Sequence, residues 1–336
     1  MVATRIRAGR ATRSLCAIQS AKGTPVRDFT ASGTTVESLW GEKIDIDAGK
    51  LYNDPGPWMT GFDAEAASGR YEIPKAAEGN LVMPATAAAL EILLQSNWGT
   101  RSGGGVFTLT SQVNKWLTLG WVEDNALGSG APQNFVTLSD AFIHRLGLAI
   151  NSLGKVIVTA GYAAEAESEV RALDELGDPP AITLPSTPMD PGDKYIAAGR
   201  SATLRRDPSG ANQLIPFDTV DLLLDQALAS TDYDMMRQVR PVFKNGLTAV
   251  DLSIEAMVGY ETWIILANAI SGSLQDYRLT IPFPAGAGSS LIVHMRQVLF
   301  NVSPLGRTPN QQYVKFSARG RALCDTSGDF VDITLS

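Results

Sequence analysis

The sequence predicts a mainly β protein with a few helices, made of two copies of one unit in tandem. Three observations predict this: a hairpin in each half of the chain, one helix ahead of each hairpin, and a constant spacing between the copies. The first hairpin is predicted over 142–162 (FIHRLGLAINSLGKVIVTAGY) and the second over 312–335, with NSLG and DTSG as turns. Runs rich in branched and apolar residues flank the turn of the first hairpin. Apolar and polar residues alternate in the second, which is typical of antiparallel sheet with one polar face.

A single packing helix is predicted ahead of each hairpin. The first covers 85–99 (ATAAALEILLQSNWG) and the second covers 258–272 (VGYETWIILANAISG). Gly99 and Gly272, the predicted helix stops, lie 173 positions apart, and the turn residues Gly154 and Gly328 lie 174 apart. Two landmarks with almost the same spacing indicate duplication of one mostly β unit rather than a short repeat.

Further strands are predicted on both sides of each helix, at 79–85, 106–110 and 115–124 in the first half and at 248–256, 277–283 and 290–302 in the second. In the stretch TAVDLSIEA, Val250, Leu252 and Ile254 are predicted to face the core. Asp251, Ser253 and Glu255 are then predicted to face outward. An acidic and then proline-rich segment, 165–195, is predicted to be a linker. It divides the chain into domains 1–164 and 196–336.

The composition indicates a globular protein and argues against several function classes. The 336 residues are 44% hydrophobic and 19% charged, which suits two folded domains. A net charge of −7 argues against nucleic-acid binding driven by overall charge. No apolar run reaches the roughly 18 residues that a membrane-spanning helix needs, and MVATRIRAGRATRSL lacks the apolar core of a secretory signal.

The sequence offers no recognisable catalytic, metal or cofactor motif. Cys16 and Cys324 form no CxxC pair, and His144 and His294 are far apart in predicted strands, so structural roles are expected for them. The glycine-rich loops match no phosphate-binding pattern. The acids of 44–47 and 218–225 lie in alternating strands, where a solvated face is expected. We therefore expect a binding or assembly protein with no enzymatic activity and no cofactor.

Several stretches resemble the major tail tube protein of long, non-contractile-tailed bacteriophages. They are the basic opening RIRAGRATRSLCAIQ with GTPVRDFTASGTT, the helix ATAAALEILLQSNWG, then WLTLGWVED and NFVTLSDAFIHRLGLAINSLGKVIVTAGYAAE. The resemblance covers most of the chain and is strongest over 79–162 and 245–336. It implies two tandem tail-tube domains, each a β-sandwich or split barrel with one packing helix. Six such domains form a ring in that family, so a duplicated chain implies three chains per ring.

The resemblance also implies a location, partners and site residues. The chain would belong to the virion tail, assembled in the host cytoplasm, with further copies of itself, the tail tip or initiator complex, the tape measure protein and the tail terminator as partners. DNA would pass through the lumen without specific binding. Asp251 and Glu255 are candidates for an acidic lumen wall, or else face the exterior. The basic opening segment is the candidate for an inter-subunit arm, through Arg5, Arg7, Arg10 and Arg13.

Three alternatives remain open at the level of the sequence. One is a tail protein that forms a single closed ring, such as a terminator or distal tail protein. Another is a carbohydrate-binding β-sandwich, which is expected to cluster exposed aromatic residues on one set of loops. The third is a hydrolase with paired aspartates that converge in the fold.

Overall fold

The structure is a computed structural model, and it describes residues 12–30, 36–38, 43–44, 50–53, 71–74, 77–110, 112–123, 135–165, 168–171, 182–184, 196–207, 210, 212–230, 242–244, 246–284, 289–302, 314–325 and 330–336. Across these residues the protein is mainly β, as predicted, and the paired strands are antiparallel.

The first half of the chain contributes β1 (Thr12–Ile18), β2 (Val36–Ser38), β3 (Lys43–Ile44), β4 (Lys50–Asn53), β5 (Tyr71–Pro74), β6 (Ala77–Pro84), α1 (Ala87–Asn97), β7 (Gly99–Arg101), β8 (Val106–Leu109), β9 (Leu117–Glu123), β10 (Phe135–Asn151), β11 (Val156–Ala164) and β12 (Ser168–Arg171). The strand β12 lies within the segment predicted to be a linker and pairs with β10.

The second half contributes β13 (Thr203–Arg206), β14 (Gln213–Ile215), β15 (Thr219–Asp225), β16 (Leu228–Ser230), β17 (Val242–Lys244), β18 (Ala249–Met257), α2 (Tyr260–Ser271), β19 (Gln275–Pro282), β20 (Ser290–Val302), β21 (Lys315–Arg321) and β22 (Val331–Leu335). The alternation predicted for β18 is confirmed, because Val250, Leu252 and Ile254 are all buried in the core.

The same order of strand pairings occurs in both halves. In the first half β1 pairs with β2 and β9, β9 with β10, β10 with β11 and β12, β11 with β6, and β6 with β3. In the second half β13 pairs with β14 and β19, β19 with β20, β20 with β21 and β22, β21 with β18, and β18 with β15. The hairpins β4–β5 and β16–β17 also correspond. The hairpin β7–β8 has no described counterpart in the second half.

This correspondence corrects the predicted second hairpin. Among the described residues β21 and β22 do not pair with each other, because each pairs with a different half of β20. The counterpart of the hairpin β10–β11 is therefore β20–β21, so the spacing between Gly154 and Gly328 was coincidental. The period-two pattern of 312–335 was right about which side chains are buried, but periodicity does not identify the strand that lies alongside.

The two long strands β10 and β20 bend at equivalent points. Asp140 and Gln297 both have positive φ, 51° and 46°, and each lies at a shift in register. Such a bulge turns the strand, so its two halves belong to differently oriented parts of the sheet. The N-terminal half of β10 pairs with β9 and β12, and its C-terminal half pairs with β11 and β15.

The pairing between β10 and β15 joins the two halves into one sheet, which we call the broad sheet. Its order is β3, β6, β11, the C-terminal half of β10, β15, β18, β21 and the C-terminal half of β20. One face of this sheet packs on a hydrophobic core that contains residues from both halves of the chain, including Leu81, Val158, Leu222 and Ile254. The other face carries most of the polar side chains and forms the candidate site described below.

Both predicted helices are confirmed, but they are buried to different extents. Each packs against the long strand of its own half, α1 on β10 and α2 on β20. Thr86 caps α1 by accepting a bond from the Ala89 backbone N–H. Gly272 ends α2 with φ of 68°, a left-handed conformation that glycine adopts readily. Gly99, predicted to stop α1 in the same way, instead begins β7, where an added Cβ would lie 2.0 Å from the Thr108 carbonyl oxygen.

Candidate functional site

The polar face of the broad sheet contains an open depression of about 440 Å³ that extends over strands from both halves of the chain. Its charged lining comes from Arg145 on β10, Asp221 on β15, Asp251 on β18 and Arg319 on β21. These side chains share a face because directly paired residues of neighbouring strands point the same way. The junction of the two halves therefore lies under the depression rather than beside it.

Asp251, one of the two predicted lumen acids, lies on this face, and its carboxylate is paired with arginine side chains. Only 8% of its surface is exposed. Arg321, its direct partner in the register of β18 and β21, donates from Nε to Oδ1 at 2.7 Å and from Nη2 to Oδ2 at 3.1 Å. Arg319 Nη2 lies 3.7 Å from Oδ2. This two-pronged bond to the carboxylate raises the pKa of Arg321 further above its ordinary value.

Glu255, the other predicted acid, is exposed on the same face. The Thr219 hydroxyl, directly opposite on β15, donates to Glu255 Oε2 at 3.4 Å. Partial burial and, secondarily, the charge of Glu255 raise the pKa of Asp221 above its ordinary value. The two predicted acids therefore differ, since Glu255 presents its charge to solvent and Asp251 is paired.

Charge on this face is mixed rather than uniformly acidic. The acids Asp221, Asp251 and Glu255 occupy the central strands β15 and β18, and basic side chains follow on β21, at Lys315, Arg319 and Arg321. The alternation within β18 had predicted the outward direction of the acids correctly. It contained no information about β21, which lies beside β18 although about 60 residues separate the two strands. The assignment of Asp251 and Glu255 to a lumen stays a prediction.

The predicted inter-subunit arm falls mostly outside the described residues, which begin at residue 12, so Arg5, Arg7 and Arg10 have no structural placement here. Arg13 lies in β1, where its backbone is paired with Val122 of β9. The backbone of Arg13 is therefore part of the sheet, and an inter-subunit role for the four arginines stays a prediction.

The two histidines are separated in the structure. Burial lowers the pKa of His144, with Asp225 acting in the opposite direction as a smaller cause. His294 lies between two carboxylates, with its Nε2 3.6 Å from Asp276 Oδ2 and its Nδ1 3.7 Å from Asp332 Oδ2. Arg296 Nη2 donates to the same Asp332 oxygen at 2.8 Å. No local pattern in the sequence indicates this cluster, because β19, β20 and β22 bring together residues that are separated in the chain.

No clustering of exposed aromatic residues on loops accompanies these sites in the described part of the chain. Trp98 is fully buried, and Trp116 packs edge-on against Phe142 at 5.8 Å. The exposed aromatics Tyr260 and Trp263 lie on the helix α2. The expected cue of a carbohydrate-binding loop set is thus not seen among the described residues. Nor do these residues contain three or more His, Cys, Asp or Glu side chains arranged to hold a metal ion.

The two long strands β10 and β20 differ in the neighbours that lie along their edges, and the sequence did not reveal this difference. Ala141 of β10 pairs with both β9 and β11, so these strands lie on opposite edges of β10, and β15 continues the β9 edge. Met295 of β20 likewise pairs with both β19 and β22. Beyond β19, however, no described residue pairs with that edge of β20. Among the described residues, nothing beside β20 therefore fills the position that β15 fills beside β10.

In comparisons with known proteins, no family model and no curated protein matches the chain. Neither helix of the described residues is long and apolar enough to cross a membrane.

Proposed function

We propose that this chain is a structural subunit of a phage tail tube, in which three copies form a ring and rings stack into a hollow tube. Each half of the chain then acts as one tail-tube domain, a β-sandwich with one packing helix. The observation that carries the proposal is a strand position beside the C-terminal half of β20 that no described residue fills. The chain itself shows how that position is filled in its other half, where β15 pairs with β10 over Arg145–Asn151.

In the described part of the chain, the two outer edges of the broad sheet carry no further strand, and they are complementary. One outer strand is β3, which is the counterpart of β15, and the other is β20, which is the counterpart of β10. A second copy can therefore repeat between chains the contact that β10 and β15 make within one chain. Such a head-to-tail contact is heterologous, and it generates a ring when its rotation closes. The ring removes the exposed strand edges, which are otherwise sites of uncontrolled pairing.

The polar face supports the role of this sheet as the wall of a channel. Joining the broad sheets edge to edge makes their polar faces continuous around the ring. Asp251 lies against both Arg321 and Arg319 on this face. Asp221 and Glu255 add two further carboxylates, so acidic and basic charges are interspersed. A wall without an uncompensated row of basic side chains avoids the strong phosphate attraction that holds proteins on nucleic acid. DNA can then slide past without a specific site.

Electron microscopy of the purified protein tests this proposal, together with mass photometry across a range of concentrations. We expect hollow tubes of stacked rings, with three chains per ring. Rings of six chains would contradict the use of both halves as ring positions. Closed rings that do not stack, even on isolated tail tips, would favour a terminator or distal tail protein. A chain that stays monomeric alone and on tail tips would overturn the proposal.

A further inference from the structure

The helix α2 leaves an apolar face in solvent, and we propose that the first half of a second copy of this chain covers it. Tyr260, Trp263 and Ile270 are 72%, 53% and 79% exposed. Together with Ala267 they follow helical spacing and lie on one side of α2, opposite the buried Ile265. We call these four residues the α2 face. The inference rests on the proposed ring and names a contact within it.

The corresponding face of α1 is buried in the same chain. With the spacing of 173 positions, Trp263 corresponds to Leu90 and Ile270 corresponds to Asn97, and both α1 residues are 0% exposed. The remaining members of the α2 face correspond to Ala87, which is partly buried and packs against the core, and to Leu94, which is 1% exposed. Equivalent positions on the two helices therefore differ in burial. The exposed side chains are nevertheless the ones with more apolar surface, since Trp263 is larger than Leu90 and Ile270 is more apolar than Asn97.

Part of the cover at the end of α1 comes from the other half of the chain. The Trp98 ring, directly after α1, stacks on Phe330 with centroids 6.4 Å apart. The Gln226 side chain, directly after β15, donates to the Trp98 carbonyl at 2.9 Å, and Gln226 is only 1% exposed. The strand β8, which follows Trp98 in the chain, pairs with β22. The end of α1 is thus part of the junction between the two halves.

The helix α2 is placed in the same way, at a position where no described residue makes the corresponding junction. It packs on β20 as α1 packs on β10, and the C-terminal half of β20 is the open edge of the broad sheet. In the repeated order of strands, the unit that comes next to β20 is a first half. Since this chain's own first half is already paired through β10, the unit that fits is the first half of a second copy.

The apolar area of the α2 face supports this assignment. A stable interface buries on the order of 1,000 Å² or more in total. Strand pairing along one short edge satisfies backbone groups but buries little apolar surface. Full burial of an aromatic side chain removes roughly 150–250 Å² from water. About half of that area remains to be buried at Trp263, which is 53% exposed, and aromatic residues at the centre of an interface commonly dominate its free energy. The α2 face supplies the apolar centre that the open edge lacks.

The test compares assembly of the full chain with that of Trp263→Gln and Ile270→Gln, two substitutions that keep good or moderate helix propensity. We expect each substitution to raise the protein concentration at half-assembly by about 100-fold, which is the loss of affinity typical when a side chain at the centre of an interface is removed. The matched control is Ile264→Glu. Ile264 corresponds to Glu91, which stays partly exposed on α1, so this control should assemble as the unsubstituted chain does.

A second readout follows Trp263 directly. Iodide quenching is compared between the unsubstituted chain and Trp263→Phe, so that the difference reports Trp263 alone. We expect this difference to be present in the dilute monomer and lost after assembly.

The outcomes separate this inference from the proposed function. If the chain assembles while Trp263 stays open to iodide, or if both glutamine variants assemble normally, the α2 contact is wrong and the ring stands. Protection of Trp263 already in the monomer would mean that the chain covers the face itself, which also overturns the inference. A chain that never assembles, alone or on tail tips, overturns both.

Discussion

The helices α1 and α2 occupy equivalent places in a repeated fold and yet have different surroundings. Leu90 on α1 is 0% exposed, whereas its counterpart Trp263 on α2 is 53% exposed. The long strands beside them differ in the same sense, because β15 extends the sheet at β10 and nothing described extends it at β20. The first half of the chain thus takes part in a junction between the halves, and the described residues leave the corresponding surfaces of the second half uncovered.

The largest expected effect comes from truncating the two helices at equivalent positions. Leu90→Ala should lower the free energy of unfolding by about 2–5 kcal/mol, because it opens a cavity in a closed core. Trp263→Ala should cost less than about 1 kcal/mol in the dilute monomer, because half of that side chain is already in water. Urea unfolding followed by circular dichroism measures both. Equal costs would show that Trp263 is already packed within one chain.

A charge at the open edge of β20 should block assembly without unfolding the monomer. Val302 is the last residue of β20 and packs partly against the core. In Val302→Lys the long side chain can reach water past the open edge, but a neighbouring strand would bury its charge. We expect the half-assembly concentration to rise about 100-fold in sedimentation experiments. Ser317→Lys, an exposed substitution on the adjoining strand β21, is the control and should change assembly little.

The two predicted acids should respond differently to removal of their charge. Asp251→Asn should destabilise the chain by about 1–3 kcal/mol, because it removes the carboxylate that holds Arg321 across β18 and β21. Glu255→Gln should change the free energy of unfolding by less than about 0.5 kcal/mol, since Glu255 is exposed. Thermal unfolding at neutral pH distinguishes the two. A large loss from Glu255→Gln would mean that the face is buried in the species measured.

The smallest expected effect is a pH-dependent gain from Asp221→Asn. Folding raises the pKa of Asp221 above its ordinary value of 3.8, so the folded chain holds the proton more tightly than the unfolded chain does. Asp221 therefore costs stability once the pH exceeds its folded pKa, and this cost disappears below its unfolded pKa. The asparagine variant should show a higher urea midpoint at pH 7 and no gain near pH 3. A gain that does not depend on pH would rule out the charge as its cause.

The periodicity of the sequence predicted those features that local spacing decides, such as the bounds of helices and strands. It did not predict which strands pair when they are far apart in the chain. The bounds 290–302 of β20 were predicted from the run SLIVHMRQVLFNV and are confirmed. The helices were also placed to within two residues at each end, because apolar spacing and stop residues are local signals. The hairpin at 312–335 was wrong because an alternating strand reads the same whichever neighbour it pairs with. The candidate site was predicted in part: the outward direction of Asp251 followed from alternation, but its pairing with Arg321 did not.

By itself the sequence determined the mainly β class, the two helices with their spacing of 173 positions, and the face on which Asp251 and Glu255 lie. These follow from the 3.6-residue and two-residue periods of helix and strand, which any chain of this pattern must satisfy when it buries its apolar side chains. Only the tertiary structure decided that β10 pairs with β15 and that the end of α1 is covered while the α2 face is not. Those outcomes depend on which segments come together although they are far apart in the chain. The free energy of such contacts is set by complementary surfaces rather than by any local stretch of sequence.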